Sequence, residues 1–314
     1  QNFYRNLIVM EWFNPNSNYD FMGWRKFNAI FSVILILLSL TGLVLKGLSW
    51  GLDFTGGTQV EMSFKKVAVI EDIRSQLKEM GYPEAQVMTY GNAHDVLITI
   101  AASPDNDVST LRRTLSSSFP EDKILQVSYI GPQVGNELAT KGIIAVLVAM
   151  LATMIYIAFR FEYRLAVSSA LALIHDPMLI LGVFAWFKIE FDLKALAALL
   201  AVIGYSLNDT IVVFDRVREN FLKVRRTSSI EIMNLSINQT LSRTIMTSLL
   251  TLSVVLALLF MGGESLRGFS LALSIGILIG TYSSIYVAGS LAIWLGLDKK
   301  DFLPKPKMAL SDEP

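Results

Sequence analysis

The chain of 314 residues has no cysteine, which excludes disulfides and thiolate-held metal or cluster sites. It has two histidines, His94 and His175. Charged residues make up 17% of the chain, against about a quarter in a soluble domain. Their signs balance, 27 basic against 27 acidic, so nothing points to nucleic acid as a partner. No Gly-x-x-x-x-Gly-Lys-Ser/Thr run is present, and neither is His-Glu-x-x-His nor a nucleophile elbow. The expectation is a protein that is not an enzyme and has no cofactor, no metal and no catalytic residue. If it performs work, the energy comes from a gradient or a partner.

What the chain does have is long apolar runs. A helix needs about 20 apolar residues to cross the hydrocarbon layer. Six stretches qualify: 27–45, 142–159, 165–187, 195–214, 245–261 and 269–295. The fifth is short unless it extends back through Arg243 and Thr244. Flanking charge alternates: Arg5, Arg25 and Lys26; Arg160 and Arg164; Arg216, Arg218, Lys223, Arg225 and Arg226; then Lys299, Lys300, Lys305 and Lys307. The intervening short loops are poorer in positive charge, so the positive-inside rule puts both termini in the cytoplasm. The first span can itself direct insertion, so no cleavable leader is expected.

Between the first two spans lies an ordinary soluble composition. Thr58–Phe64 alternates as a strand, Val69–Met80 has helical spacing, and Gln86–Tyr90 and Val96–Ala101 flank a Gly91-Asn92 turn. Val108–Phe119 reads as a second helix with Asp107 as N-cap, and Ile124–Ile130 as a last strand. The order β-α-β-β-α-β is ferredoxin-like. The expected fold is therefore a polytopic α-helical membrane protein with six transmembrane helices and an inserted α+β periplasmic domain. Its segments are 1–26 cytoplasmic, 27–46 the first span, 47–140 the inserted domain, 141–296 the remaining spans with a cytoplasmic loop at 215–242, and 297–314 a cytoplasmic tail. A short cytoplasmic helix is expected after the capping box Ser228-Ser229-Ile230-Glu231, leading into span five.

Asp209 interrupts the fourth span, roughly 9 Å inside its cytoplasmic end at 1.5 Å per residue. An ionisable group at that depth is costly unless paired, hydrated or neutralised. Arg243 lies where it can meet Asp209 across neighbouring helices. Arg does not deprotonate, whereas Asp can. The pair reads either as a proton relay, with Asn208, Ser206 and Thr210 as polar partners, or as a static brace. His175-Asp176, followed by Pro177, sits near the middle of span three. The two residues either extend the relay or patch the carbonyl of Leu173 that the proline leaves free. Ala272, Gly276, Gly280, Ser284, Ala288 and Ala292 recur every four residues in span six, a spacing that lets helices approach closely. Gly204 is expected to pack in the same way.

Six segments together carry a resemblance. They are Gly51-Leu52-Asp53-Phe54-Thr55-Gly56-Gly57, Gly135-Asn136-Glu137-Leu138, Phe159-Arg160-Phe161-Glu162, His175-Asp176, the run from Ile203 to Asn220 containing Gly204-Tyr205-Ser206-Leu207-Asn208-Asp209-Thr210, and Gln239-Thr240-Leu241-Ser242-Arg243-Thr244. From about Tyr19 to Lys300 the chain resembles the SecD/SecF family of the bacterial Sec protein-export machinery, on its SecF side. The resemblance implies a resistance-nodulation-division fold in the inner membrane and pairing with SecD. It also implies association with the SecYEG channel and often with YidC and YajC, and contact of the machinery with the translocating polypeptide. Such proteins are thought to use the proton gradient in late steps of export. The family's intramembrane Asp and Arg fall on Asp209 and Arg243, and its exit motif on Gly51, Asp53, Gly56 and Gly57. The chain looks like the separate subunit rather than part of a fused one. Other readings are a non-conducting scaffold and, against the small insert, a solute exporter.

Overall fold

The computed structural model describes residues 18–101, 108–224 and 227–302. Asp107, Arg5, Arg225, Arg226, Lys305 and Lys307 lie outside the described residues.

The first span is α1 (Arg25–Leu45), entered through a 3-10 turn at Met22–Trp24. A two-residue strand β1 (Ser49–Trp50) and a single helical turn α2 (Leu52–Thr55) lead into the inserted domain. That domain comprises β2 (Gly57–Ser63), α3 (Ile70–Glu79), β3 (Gln86–Tyr90), β4 (Asn92–Ala101), α4 (Val108–Ser118) and β5 (Lys123–Ile130). Its sheet has the order β3-β4-β2-β5 with every neighbouring pair antiparallel, the split βαβ topology. Alternation decides its faces. Val60, Met62, Val96 and Ile98 point to one side, where Ile73 and Leu77 of α3 and Leu111 and Leu115 of α4 cover them. Each such side chain contributes about 1.5–3 kcal/mol on burial. The other face carries Gln59, Glu61, Gln126 and Ser128, and it overlooks the ends of the spans across an open cleft.

The remaining spans are α5 (Pro132–Arg160), α6 (Tyr163–Phe187), α7 (Leu193–Lys223), α8 (Ser229–Met261), and α9 (Arg267–Tyr282) continued by a π turn (Ser283–Val287) into α10 (Ala288–Trp294). Among the described residues, six helical stretches, including this last composite, are long and apolar enough to cross a membrane. Two sequence expectations change. The helix before span five is not separate, because α8 runs unbroken from its Ser228–Glu231 capping box to Met261. Most of 215–242, expected as a loop, is therefore helix, with α7 ending at Lys223. Polar residues such as Asn220, Ser236 and Gln239 keep this extension folded by bonding across the α7–α8 hairpin: Asn220 Nδ2 donates to Ser236 Oγ (2.8 Å) and Gln239 Oε1 (2.9 Å). Likewise α5 begins at Pro132, directly after β5, so the inserted domain ends near 131 rather than 140. Proline suits that place, since a helix's first N–H has no partner to lose.

The helices differ in what they cover. Helices α6, α7 and α9–α10 are half buried, whereas α1, α5 and α8 are largely exposed. The most hydropathic helix, α5, is also the most exposed, which suits a lipid or partner-facing position.

Candidate functional site in the helix bundle

Helix α7 has two faces. Val202, Ser206, Asp209, Thr210 and Val213 are buried at helical spacing. Ala201, Gly204 and Asn208 are exposed on another side. Asn208, expected beside Asp209, therefore does not share its face within this chain, because consecutive helical residues point in different directions. Gly204 packs against nothing here: a Cβ at that position has no atom within 4 Å. The close seam lies instead between α7 and α9. A Cβ on Gly276 would overlap the Val202 side chain, and one on Gly280 would sit 3.0 Å from Ser206 Cβ.

Asp209 is 4% exposed, and its Oδ2 has no hydrogen-bond partner among the described residues. Arg243, on α8, is exposed and makes no direct ion pair with it, yet is near enough to act on the carboxylate through space. The pair is open in this chain rather than locked.

A second carboxylate is fully bonded. Asp176 on α6 is 1% exposed. Its Oδ1 meets His175 Nδ1 at 2.8 Å, and its Oδ2 accepts from Ser206 Oγ and from Ser283 Oγ, the latter at 2.7 Å. Thus α6, α7 and the π turn converge on one carboxyl group. Ser206 lies one turn before Asp209, so both carboxylates border the same segment of α7. Ser283 carries no sequence signal beyond being a small residue in span six. The π turn that begins at it, a feature common at functional sites, re-aims the helix there.

The exit motif forms a joint at the other end of α7. Gly51 N donates to Phe191 O at 2.9 Å, and β1 pairs in parallel with β6 (Glu190–Phe191). Asp53 Oδ2 accepts from Leu193 N at 3.0 Å, while Asp192 Oδ1 accepts from Ala195 N at 2.7 Å. Two carboxylates therefore satisfy two of the free N–H groups, those of Leu193 and Ala195, at the positive end of α7. Gly56 has φ +67°, and a Cβ there would lie 2.9 Å from Pro132 Cα; one on Gly135 would lie 2.8 Å from Gly56 N. Gly57 also has a positive φ, of +133°. The starts of β2, α5 and α7 are thus held in one contact. Glu190 and Asp192, outside the spans, are pushed up from the ordinary carboxylate value, chiefly by burial and also by neighbouring carboxylates. Glu61, on the sheet face above, is raised mainly by burial too, and by Asp95. No cluster of three or more His, Cys, Asp or Glu suited to a metal ion occurs among the described residues.

Comparison with known proteins agrees with the geometry. Residues 110–298 match the family model "Protein export membrane protein SecD/SecF, C-terminal", and residues 41–66 match "SecD/SecF GG Motif", which covers the Gly51–Gly57 side of the joint. The chain is 45% identical over 289 residues to the protein translocase subunit SecF of Vibrio alginolyticus, covering 90% of this chain and 92% of that one. It is 47% identical over 293 residues to that of Haemophilus influenzae, covering 92% and 89%. The crystal structure of SecDF from Thermus thermophilus, a translocon-associated membrane protein, superposes with a TM-score of 0.83 at 38% identity, over 90% of this chain and 39% of that longer one. A SecDF structure in a super-membrane-facing form gives 0.67, again at 38% identity. With the six-span bundle, the inserted α+β domain and the glycine joint all matched, the chain belongs to the SecD/SecF family of protein export membrane proteins, as a SecF-type subunit of the protein translocase.

Proposed function

We propose that this subunit, paired with SecD in the inner membrane, couples the proton gradient to late steps of protein export. The observation that carries the reading is Asp209: a buried carboxylate with an unpartnered oxygen. It sits on a helix whose far end is bonded to the inserted domain through Asp53. Gain or loss of a proton changes the charge at that buried position, and the α7 contacts that are best at one charge are not best at the other. Leu193 at the joint is about 24 Å from Asp209 along the helix axis, by 1.5 Å per residue. A stiff helix carries a tilt over that length. The two solved SecDF structures differ in their match to this chain at equal identity, in keeping with a family that has more than one arrangement.

In this reading Asp209 takes and releases the proton, and Arg243 sets its charge balance. The exposed α7 face with Gly204 and Asn208 meets SecD, whose spans complete the bundle. Asp176, held by His175, Ser206 and Ser283, adjoins the same segment of α7. Both termini are cytoplasmic and the inserted domain is periplasmic. SecYEG is the channel served, with YidC and YajC as further neighbours and the emerging polypeptide as cargo. The competing reading is a non-conducting scaffold with Asp209–Arg243 as a brace. A brace needs a formed ion pair, and none joins these residues here. The test is Asp209→Asn in the assembled complex. Gradient-dependent export and proton conductance are expected to be lost while assembly persists. Wild-type export rates with normal assembly would leave the scaffold standing.

A further inference from the structure

Away from Asp209, α1, α6 and α10 enclose an apolar cavity of about 300 Å³, with Val33, Ile36, Leu171, Ile174, Met178 and Leu291 among its walls. Its polar lining includes Asn28, Ser32 and Tyr286 as well as His175 and Ser290, and the last two are 5% and 3% exposed. His175 Nε2 and Ser290 Oγ both lack a hydrogen-bond partner among the described residues. Its rim residues Val33, Leu171, Ile174 and Trp294 are well exposed, so the mouth opens on the outer surface of the bundle.

The bonding of Asp176 sets what these orphans require. Its Oδ2 accepts from two serine hydroxyls, and its Oδ1 lies against His175 Nδ1. A carboxylate only accepts, so Nδ1 carries the hydrogen. In the neutral ring Nε2 is then an acceptor. The missing partner must donate. A filling of water does not suit the space, because 300 Å³ would take about ten waters and the walls are mostly apolar. A charged headgroup does not suit it either. His175 is twelve residues from each end of α6, about 18 Å deep, where a charge is expensive.

We infer that this cavity binds an uncharged, hydroxyl-bearing lipid drawn from the bilayer. Its tail lies between α1, α6 and α10, and its hydroxyl donates to His175 Nε2 beside Ser290 Oγ. Bound lipid would fix the His175 tautomer and hold Asp176 as an acceptor, tying α1 to the Asp176 cluster. The inference does not need Asp209 to carry protons, and binding is read without measuring export.

The test uses the full chain with co-expressed SecD in nanodiscs and two photoreactive probes, a diazirine-bearing dodecanol and the matching dodecane. The alcohol is expected to label Leu171, Ile174 and Leu291 more than the alkane does, by roughly two- to twelve-fold, the ratio for one hydrogen bond. His175→Phe should erase that difference. Ile174→Trp, a change at the exposed rim that leaves the His175 bonds intact, should block labelling by both probes. With only two histidines in the chain, ¹⁵N-histidine spectra resolve His175, and its Nε2 resonance should move with dodecanol and not with dodecane. Equal labelling by alcohol and alkane overturns the proposal. So does labelling no greater than at the exposed Leu147 of α5, and so does protection of the cavity from both probes by SecD.

Discussion

Removing one hydroxyl measures the charge state of Asp176. Ser283→Ala deletes the 2.7 Å bond from Ser283 Oγ to Asp176 Oδ2, and the atom lost is too small to leave a sizeable cavity. A hydrogen bond to a charged group contributes about 1.5–3 kcal/mol. Neutral hydrogen bonds between membrane helices average about 0.6 kcal/mol, with a maximum near 1.7. The central values of the two cases separate. If Asp176 is an ionised acceptor for three donors, Ser283→Ala costs about 1.5–3 kcal/mol. In an Asp176→Asn background the same change should cost only about 0.6 kcal/mol. The cycle then shows a coupling of about 1–2.5 kcal/mol. Reversible unfolding of the complex in mixed SDS micelles gives all four free energies. A cost near 0.6 kcal/mol in both backgrounds would mean a neutral carboxyl group. It would defeat the acceptor assignment for Asp176, and with it the donor requirement at His175 Nε2.

Three further outcomes follow from the joint and the bundle. Gly56→Ala puts a Cβ at φ +67° and 2.9 Å from Pro132 Cα; it should loosen the joint by about 2 kcal/mol or more, seen as new proteolysis near Gly56 while the inserted domain melts unchanged. Arg243→Lys keeps the charge but removes the planar fork, so gradient-dependent export should fall with assembly intact, and full export would show that a point charge suffices. Glu190 and Asp192 have raised values, so between the ordinary carboxylate value and the raised one the folded joint holds protons that the unfolded chain has released. Its stability should therefore fall as pH rises through that window. Amide exchange at Gly51 and Leu193 should quicken with rising pH more than the intrinsic rate does, and Glu190→Gln should flatten the excess; slowing instead would contradict the assignment.

Hydropathy and periodicity showed the six spans, the β-α-β-β-α-β order and the anomaly of a carboxylate at 209, because each is written along the chain as composition or spacing. The exit motif was visible as a glycine pattern. That Asp53 bonds the start of α7, some 140 positions later, was not. Helix α8 ran through an expected loop because bonds across the hairpin, such as Asn220 to Ser236, hold polar sequence in helical form. The orientation of neighbouring residues was also hidden: Asn208 and Asp209 adjoin in sequence, yet one is exposed and the other buried. Ser283 shows why. Its contact with Asp176 depends on a π turn and on which ridge of α9 lies in the groove of α7, set by the small side of Gly276 and Gly280. Sequence alone determined that this chain crosses a membrane six times with an acidic group inside. The tertiary structure decided which carboxylate is satisfied, at Asp176, and which is left open, at Asp209. Hydrogen-bond satisfaction depends on which side chains from distant helices meet, and hydropathy along one chain carries no record of that.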